Sequence, residues 1–197
     1  MSTAERTTRK TDGLVGRATL ARGTTAGVGA WLLGYLVVYV SKSAAVSEAL
    51  RGVGFVSRLL GGEGVPAWKG VTWLFLNAHF VATRFPTIAG GTRTANFVTR
   101  EGGSALTLAL PVVLLLAAGV VATYGRRGGL AEGAAAGATV ALGYLPLSAV
   151  AAFATTHAIG TTEATISADP VTGVLLAGTV YPMVLGAVGG IAVGLLD

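Results

Sequence analysis

The 197-residue sequence contains no cysteine and little charge. Without cysteine the chain cannot form a disulfide, a thiolate zinc site or a nucleophilic thiol. Charged residues make up 12% of the sequence, about half the share that is usual in a soluble domain, whereas 52% of the residues are apolar. This composition is typical of a protein that crosses a membrane.

Few side chains in the sequence could carry chemistry. The only histidines are His79 and His157, and no set of ligands with the spacing of a metal site accompanies them. No serine has a base beside it, no carboxylates are paired for acid and base catalysis, and no glycine-rich segment follows a strand to bind phosphate. We therefore expect no enzymatic activity, no cofactor and no metal.

The net charge of +5 does not indicate a nucleic-acid partner. The basic residues lie beside apolar segments instead of forming a patch interleaved with aromatic residues. Such a placement is typical of residues that orient a protein in a membrane. The partner that the sequence predicts is therefore the lipid bilayer.

Four apolar segments are long enough to span a bilayer, which takes about 20 helical residues. They cover about residues 25–41, 104–125, 130–155 and 171–196. The second contains the uncharged stretch from Ala105 to Tyr124, and Arg126 and Arg127 follow it directly. Because short loops rich in lysine and arginine stay in the cytoplasm, we predict a multi-pass protein of the cell membrane with its N- and C-termini in the cytoplasm.

Residues 1–23 are basic and precede the first apolar segment, so we predict that they form a cytoplasmic N-terminus. A cleavable signal peptide is the alternative, but Ser41-Lys42-Ser43 is a poor cleavage site and the apolar run is long. Residues 24–197 are predicted to form a single membrane domain, with residues 42–103 as an insert on the outer side.

The first half of this insert has the pattern of an amphipathic helix. From Ser43 to Gly61 apolar residues recur at three- and four-residue steps, with Ser43 as a cap at the start and Gly61 as a left-handed stop at the end. The sequence supports equally a helix that lies among lipid headgroups and one that packs on the rest of the insert.

The run from Val71 to Thr83 is apolar but too short to span a bilayer, and segments of this length also re-enter the membrane or lie at its surface. Its alternation favours a strand, and the stretch from Thr92 to Thr99 would supply the second strand of a hairpin. The predicted fold is therefore an all-α integral membrane protein. Four transmembrane helices carry a small external cap, an amphipathic helix plus this hairpin, between the first two helices.

Trp73, Asn77 and His79 form the candidate polar site of the insert. On a strand all three would share one face, where they could bind a polar ligand. Alternatively, Asn77 and His79 are a hydrogen-bonded pair that fixes the cap. The second interpretation is favoured because buried polar groups are usually satisfied within the protein.

Three of the predicted membrane helices contain an interior proline: Pro111, Pro146 and Pro182. Each proline removes a backbone hydrogen bond, so each is expected to kink its helix. Broken helices around the substrate site of a transporter are the alternative. Because these helices contain no ionisable residue at depth, ordinary kinks are favoured.

Glycines recur at every fourth position of the last segment, at Gly186, Gly190 and Gly194. Such a stripe allows another helix to approach closely. The partner is predicted to be a helix of the same bundle, and a homo-oligomer is the alternative.

The segment Trp73-Leu-Phe-Leu-Asn-Ala-His-Phe-Val81, together with Gly90-Gly91-Thr-Arg-Thr-Ala-Asn-Phe-Val98 and the proline-containing helix after it, resembles an uncharacterised family of small multi-pass membrane proteins from halophilic archaea. The likeness covers about the middle third of the chain, and Leu76 stands where the motif has an aromatic residue. Some such proteins are loosely labelled transporters. The resemblance implies an external element between the first two helices, and it assigns no role to any residue.

The function that we predict is that of a structural, interaction or accessory component of the membrane, with a membrane protein or a second copy as a candidate partner. The alternative is a small transporter or channel subunit that uses the proline-kinked helices. A wet cavity at the bilayer midplane would favour transport. A dry interior of Ala, Gly, Val and Leu would favour the structural role.

Overall fold

The structure is a computed structural model that describes residues 15–87, 90–99, 104–126 and 128–195. The helices are α1 (Arg17–Ala49), α2 (Arg51–Leu59), α3 (Ala67–Asn77), α4 (Ala105–Thr123), α5 (Leu130–Ala138), α6 (Ala141–Ala154), α7 (Pro170–Thr172) and α8 (Tyr181–Gly194), and a π-helical segment, Gly173–Val180, joins α7 to α8. The strands are β1 (Thr83–Pro86), β2 (Thr92–Ala95), β3 (His157–Ala158) and β4 (Thr165–Ala168). Residues 1–14 of the predicted cytoplasmic N-terminus, and Arg127, lie outside the described residues.

Within the described ranges, four helices are long and apolar enough to cross a membrane, as the sequence predicts. They are Arg17–Ala49, Ala105–Thr123, Leu130–Ala154, which combines α5 and α6, and Pro170–Gly194, which combines α7, the π-helical segment and α8. We call these four helices the bundle. The first begins and ends well outside the predicted limits of residues 25 and 41, because no proline interrupts it and no glycine falls between Gly34 and Gly52.

Glycines let the helices of the bundle approach one another closely. A Cβ atom at Gly190 would overlap the carbonyl oxygen of Gly133 in α5, and one at Gly186 would overlap that of Gly137. Gly194 lies near the end of the same interface, where a Cβ atom would be 3.3 Å from the carbonyl oxygen of Gly129. The glycine stripe of the last helix therefore lies against α5 of the same chain.

The three prolines lie in different helical surroundings. Pro111 lies inside α4 and Pro146 inside α6. Pro182 is at the start of α8, directly after the π-helical segment, in which the Thr179 hydroxyl donates to the carbonyl oxygen of Val174 at 3.0 Å. Since proline cannot donate a backbone hydrogen bond and clashes with the preceding turn, a widened π turn before Pro182 relieves that conflict.

One antiparallel sheet of order β2-β1-β4-β3 covers one end of the bundle. The β1–β2 hairpin comes from the insert before α4, and the β3–β4 hairpin comes from the connection between α6 and α7. Thr83 pairs with Ala168 and Arg84 with Ser167, so the two hairpins form a single sheet. The predicted hairpin between Val71–Thr83 and Thr92–Thr99 is therefore only partly right, and the sheet has two strands more than the sequence predicted.

The predicted strand from Val71 to Thr83 is wrong, because most of it is the helix α3. Six of the seven residues from Val71 to Asn77 are buried, with Leu74 as the exception. A helix that is buried almost all round has no polar face, so the 3.6-residue period that identifies helices is missing from its sequence. The strand begins only at Thr83.

The predicted amphipathic helix is also displaced. Ser43 does not cap a helix, because it lies inside α1, and the separate helix α2 begins at Arg51. Gly61 follows α2 with φ of +78°, the left-handed stop that the sequence predicts. Phe55 and Leu59 are 59% and 70% exposed, whereas Ser57 is fully buried, so the apolar side of α2 faces away from the protein.

Candidate functional site

The buried polar cluster consists of Asn77, His79, Thr83 and Tyr144. Each of these residues is at most 1% exposed. The end of α3 supplies Asn77, the turn after α3 supplies His79, β1 supplies Thr83, and α6 supplies Tyr144. The cluster therefore lies where the sheet and α3 meet the bundle.

Asn77 uses its whole amide group within the protein. Its Nδ2 donates to the carbonyl oxygen of Val81 at 2.7 Å and to the hydroxyl of Thr83 at 3.0 Å. Its Oδ1 accepts the backbone N–H of Phe97 at 2.9 Å. The carbonyl oxygen of Asn77 also accepts from Asn96 Nδ2 at 2.8 Å. One side chain thus ties the end of α3 to β1 and to the segment after β2.

His79 joins α3 to α6 of the bundle. Its Nδ1 lies 2.9 Å from the carbonyl oxygen of Phe75, and its Nε2 lies 2.7 Å from the hydroxyl of Tyr144 in α6. A carbonyl oxygen can only accept, so in the neutral ring Nδ1 donates and Nε2 accepts the Tyr144 hydroxyl proton. Burial lowers the pKa of His79 to about 4, although the bond to Phe75 favours the charged form.

The turn that presents His79 is strained at one position. Phe80 has φ of +62°, a left-handed conformation that bulky residues seldom adopt. The backbone N–H groups of His79, Phe80 and Val81 all bond back to the last residues of α3. The bond from Asn77 to the carbonyl oxygen of Val81 and the two bonds of the His79 ring hold the turn in this conformation.

Aromatic rings continue the cluster into the bundle. Trp31 of α1 stacks on Tyr35 with ring centroids 5.4 Å apart and meets Phe75 edge to face at 5.3 Å. The indole N–H of Trp31 donates to Ser148 of α6 at 3.2 Å. Phe75 in turn lies edge to face with His79 at 5.0 Å. These contacts connect α1, α3 and α6 next to the buried polar cluster.

Trp73 does not share hydrogen bonds with Asn77 and His79. It is 2% exposed, and its indole nitrogen has no partner among the described residues. The ring forms part of a groove of about 490 Å³ between α1, α3 and the first hairpin, with Lys42 and Phe97 among the other lining residues. The structure therefore separates Trp73 from the pair with which the sequence grouped it.

A second junction joins the two hairpins at the surface. Arg84 of β1 donates to the carboxylate of Asp169 through both Nε and Nη2. Asp169 also accepts the backbone N–H of Thr172 at 3.0 Å, so it caps α7. Partial burial opposes ionisation of Asp169, but the Thr172 N–H and the Arg84 guanidinium outweigh it and hold the pKa of this carboxyl below its usual value.

Other contacts attach α2 and α3 to the connection between α6 and α7. The Ser57 hydroxyl of α2 donates to the carbonyl oxygen of Glu63 at 2.6 Å and accepts the backbone N–H of Gly160 at 3.0 Å. Lys69 Nζ of α3 donates to the carbonyl oxygen of Thr156 at 2.6 Å. Sequence reasoning assigned neither of the two long-range contacts, because no local pattern relates residues that are 87 or 103 positions apart.

The polar groups of this cluster are bonded mainly to one another and to the backbone. The side-chain polar atoms of Asn77 and His79 already have hydrogen-bond partners inside the protein, so they are not available to a ligand. Among the described residues no three His, Asp or Glu side chains lie close enough to hold a metal ion. Tyr144, the residue that sequence reasoning missed, was visible only as a polar residue in an apolar helix.

Comparison with known proteins places the chain in a family but gives it no activity. No curated protein and no solved structure matches it. One family model matches residues 1–197, which is the whole chain. The chain therefore belongs to DUF7978, a family of unknown function.

Proposed function

We propose that the chain crosses the cell membrane with the four helices of the bundle. Their length and hydropathy support this, and so do the apolar side chains on their outer surface. Leu32 and Leu36 of α1 and Val113 of α4 are each more than half exposed. A surface of this kind is costly in water and favourable among lipid tails.

The N- and C-termini are proposed to lie in the cytoplasm. Arg17, Arg22 and Arg126 cluster at the end of the bundle opposite the sheet, and Arg126 donates to the Thr19 hydroxyl. The positive-inside rule places this end in the cytoplasm. The insert before α4 also carries basic residues, but the rule weakens for segments of about 60 residues.

The role that we propose is a structural or interaction role, with the sheet, α2 and α3 forming a rigid cap outside the membrane. The observation that carries it is the use of Asn77, His79 and the Arg84–Asp169 pair to join separate loops and helices. The exposed apolar side of α2, with Phe55 and Leu59, is suited to lie among lipid headgroups next to the end of α1.

Transport is the second candidate function, and one observation favours it. The π-helical segment Gly173–Val180 directly before Pro182 is a helix irregularity of the type that is frequent at functional sites. Against it, the helices of the bundle touch backbone to backbone at Gly133 and Gly190. The buried residues of the described chain also include no Asp, Glu, Lys or Arg.

A flux assay distinguishes the two candidates. The purified chain is reconstituted into liposomes, and the fluxes of protons, potassium and glycerol are compared with those of protein-free liposomes. We expect no difference, because the interior is close-packed. Flux in the wild type that disappears in Thr179→Val, which removes the hydroxyl bond to Val174 inside the π-helical segment, would establish transport and overturn the structural role.

A further inference from the structure

A groove of about 780 Å³ runs between α1 and α4 at the arginine-rich end of the bundle. Its walls are Ala21 and Ala26 of α1 and Val120 and Val121 of α4. The small alanines leave room between the helices. The groove opens towards the surface of the bundle, where Val121 is 57% exposed. Its volume is within the range of small-molecule sites, about 300 to 1,000 Å³.

One end of this groove is polar and basic. Arg22 and Tyr124 are both part of its lining, and Arg22 Nη1 donates to the carbonyl oxygen of Tyr124 at 3.1 Å. A guanidinium has five N–H donors, so this bond leaves others available. The ion pairs found among the described residues belong to Arg51 and Arg84, not to Arg22.

The surroundings add to the positive charge. Arg126 is held against α1 by its bond to Thr19, one helical turn before Arg22. Glu132, an acidic residue in the first turn of α5, is bound elsewhere, because its carboxylate accepts the backbone N–H of Gly129 at 2.5 Å. Tyr124 is 75% exposed. Exposed tyrosines at the end of a membrane helix commonly lie at the level of the lipid headgroups.

We propose that this groove binds one membrane lipid with an anionic headgroup, with an apolar chain between α1 and α4 and the headgroup on Arg22. Charge complementarity selects the anion, and the apolar walls select a lipid over a free phosphate. Basic pockets between transmembrane helices on the cytoplasmic side bind anionic headgroups in this way. The inference rests on the proposed membrane location of the bundle.

Native mass spectrometry of the purified full-length chain in a non-ionic detergent tests the headgroup. The probes are dioleoyl phosphatidylglycerol, which is anionic, and dioleoyl phosphatidylcholine, which has the same chains and no net charge. We expect the wild type to bind phosphatidylglycerol about tenfold more tightly, because the quaternary ammonium of phosphatidylcholine offsets the charge of its phosphate and is repelled by the Arg22 guanidinium. Arg22→Gln should reduce this affinity to that for phosphatidylcholine, and Arg51→Gln, at an exposed arginine beyond the far end of α1, should not.

A second pair of variants tests the chain. Ala21→Phe fills the groove from an exposed position and should weaken the binding of both lipids. Ala44→Phe, at an exposed alanine of the same helix outside the groove, should bind both lipids as the wild type does. Each variant is first checked for a single folded species by size-exclusion chromatography.

Three results would overturn the proposal. The first is equal affinity of the wild type for the two lipids, and the second is an equal effect of Arg22→Gln and Arg51→Gln on phosphatidylglycerol binding. The third is displacement of the lipid by glycerol phosphate at similar concentrations, which would indicate a site for a free anion. Because binding in detergent does not depend on orientation, an error in the proposed topology would leave these results unchanged. The two proposals can therefore fail separately.

Discussion

At the scale of single residues, the cap depends on a few polar side chains that are removed from solvent. Asn77 has three side-chain hydrogen bonds, and its partners come from the turn after α3, from β1 and from the segment after β2. A buried group that loses its partner retains its full desolvation cost, whereas a satisfied one contributes only modestly. Substitution at such a residue is therefore more harmful than the number of its bonds suggests.

Asn77→Ala should lower the free energy of unfolding by at least about 2 kcal/mol, because the N–H of Phe97 and the carbonyl oxygen of Val81 would both lose a partner. Thermal or denaturant unfolding of the purified protein in detergent measures this change. Thr94→Ala, at an exposed position of β2, is the control and should have little effect. Wild-type stability of Asn77→Ala would show that Asn77 does not hold the cap.

His79 should make the protein less stable in mild acid. Its pKa is about 4 in the folded protein against 6.5 for the ordinary residue, so between these values the unfolded chain binds the proton first. The stability is complete above pH 6.5 and falls as the pH decreases towards 4, by up to about 3 kcal/mol.

Unfolding measured at closely spaced pH values tests this prediction. His79→Gln should remove the slope between pH 6.5 and 4, whereas His157→Gln should keep it. Asp169 adds a second loss at lower pH, because its folded pKa is below the ordinary carboxyl value of 3.8. A slope that persists in His79→Gln would assign the acid sensitivity to another group.

At the scale of elements, the bundle is defined by how closely its helices approach. α8 lies against α5 through Gly186 and Gly190, and it lies against α4 at Gly189, where a Cβ atom would overlap the carbonyl oxygen of Leu116. Backbones at this distance exclude even a methyl group, which fixes the register of the helices. Apolar side chains alone would allow neighbouring registers.

Gly190→Leu should destabilise the folded protein by about 1 to 3 kcal/mol, because the new side chain must displace the backbone of α5. The yield of monodisperse protein in detergent and its unfolding temperature report the effect. Ala192→Leu, two residues further on the same helix and exposed, introduces the same side chain towards lipid and should behave like the wild type. Equal behaviour of the two variants would mean that α8 does not pack on this face.

At the scale of the whole molecule, the sheet makes the cap a single unit. Its four strands come from two segments separated by α4, α5 and α6, and the β1–β4 pairing joins them. Both segments must therefore lie on the same side of the membrane. This requirement agrees with the two proposed crossings that lie between them, Ala105–Thr123 and Leu130–Ala154.

Thiol labelling tests this topology, and the absence of cysteine means that single-cysteine variants have no background. Thr92→Cys in β2 and Thr162→Cys in the connection between β3 and β4 should both react with a membrane-impermeant reagent on intact cells. Gly16→Cys, whose added side chain would meet open space before α1, should react only after lysis. Labelling of Gly16→Cys in intact cells, with Thr162→Cys protected, would reverse the proposed orientation.

The sequence by itself determined the four long helices, the left-handed stop at Gly61 and the helix-packing role expected for the glycines of α8. These features depend on local properties, since about twenty apolar residues are sufficient for a span and only glycine allows the closest helix contact. The sequence also indicated that Asn77 and His79 form hydrogen bonds within the protein, because buried polar side chains in an apolar run need hydrogen-bond partners.

Only the tertiary structure decided what surrounds these residues. α3 was predicted as a strand because its near-complete burial removes the amphipathic period, and burial on all sides is decided by elements that lie far away in the chain. The same reason applies to Tyr144 as the partner of His79 and to the β3–β4 hairpin, whose pairing with β1 joins residues more than eighty positions apart. Local patterns record the period and length of a segment, whereas the contacts that hold the cap to the bundle arise only when distant segments meet.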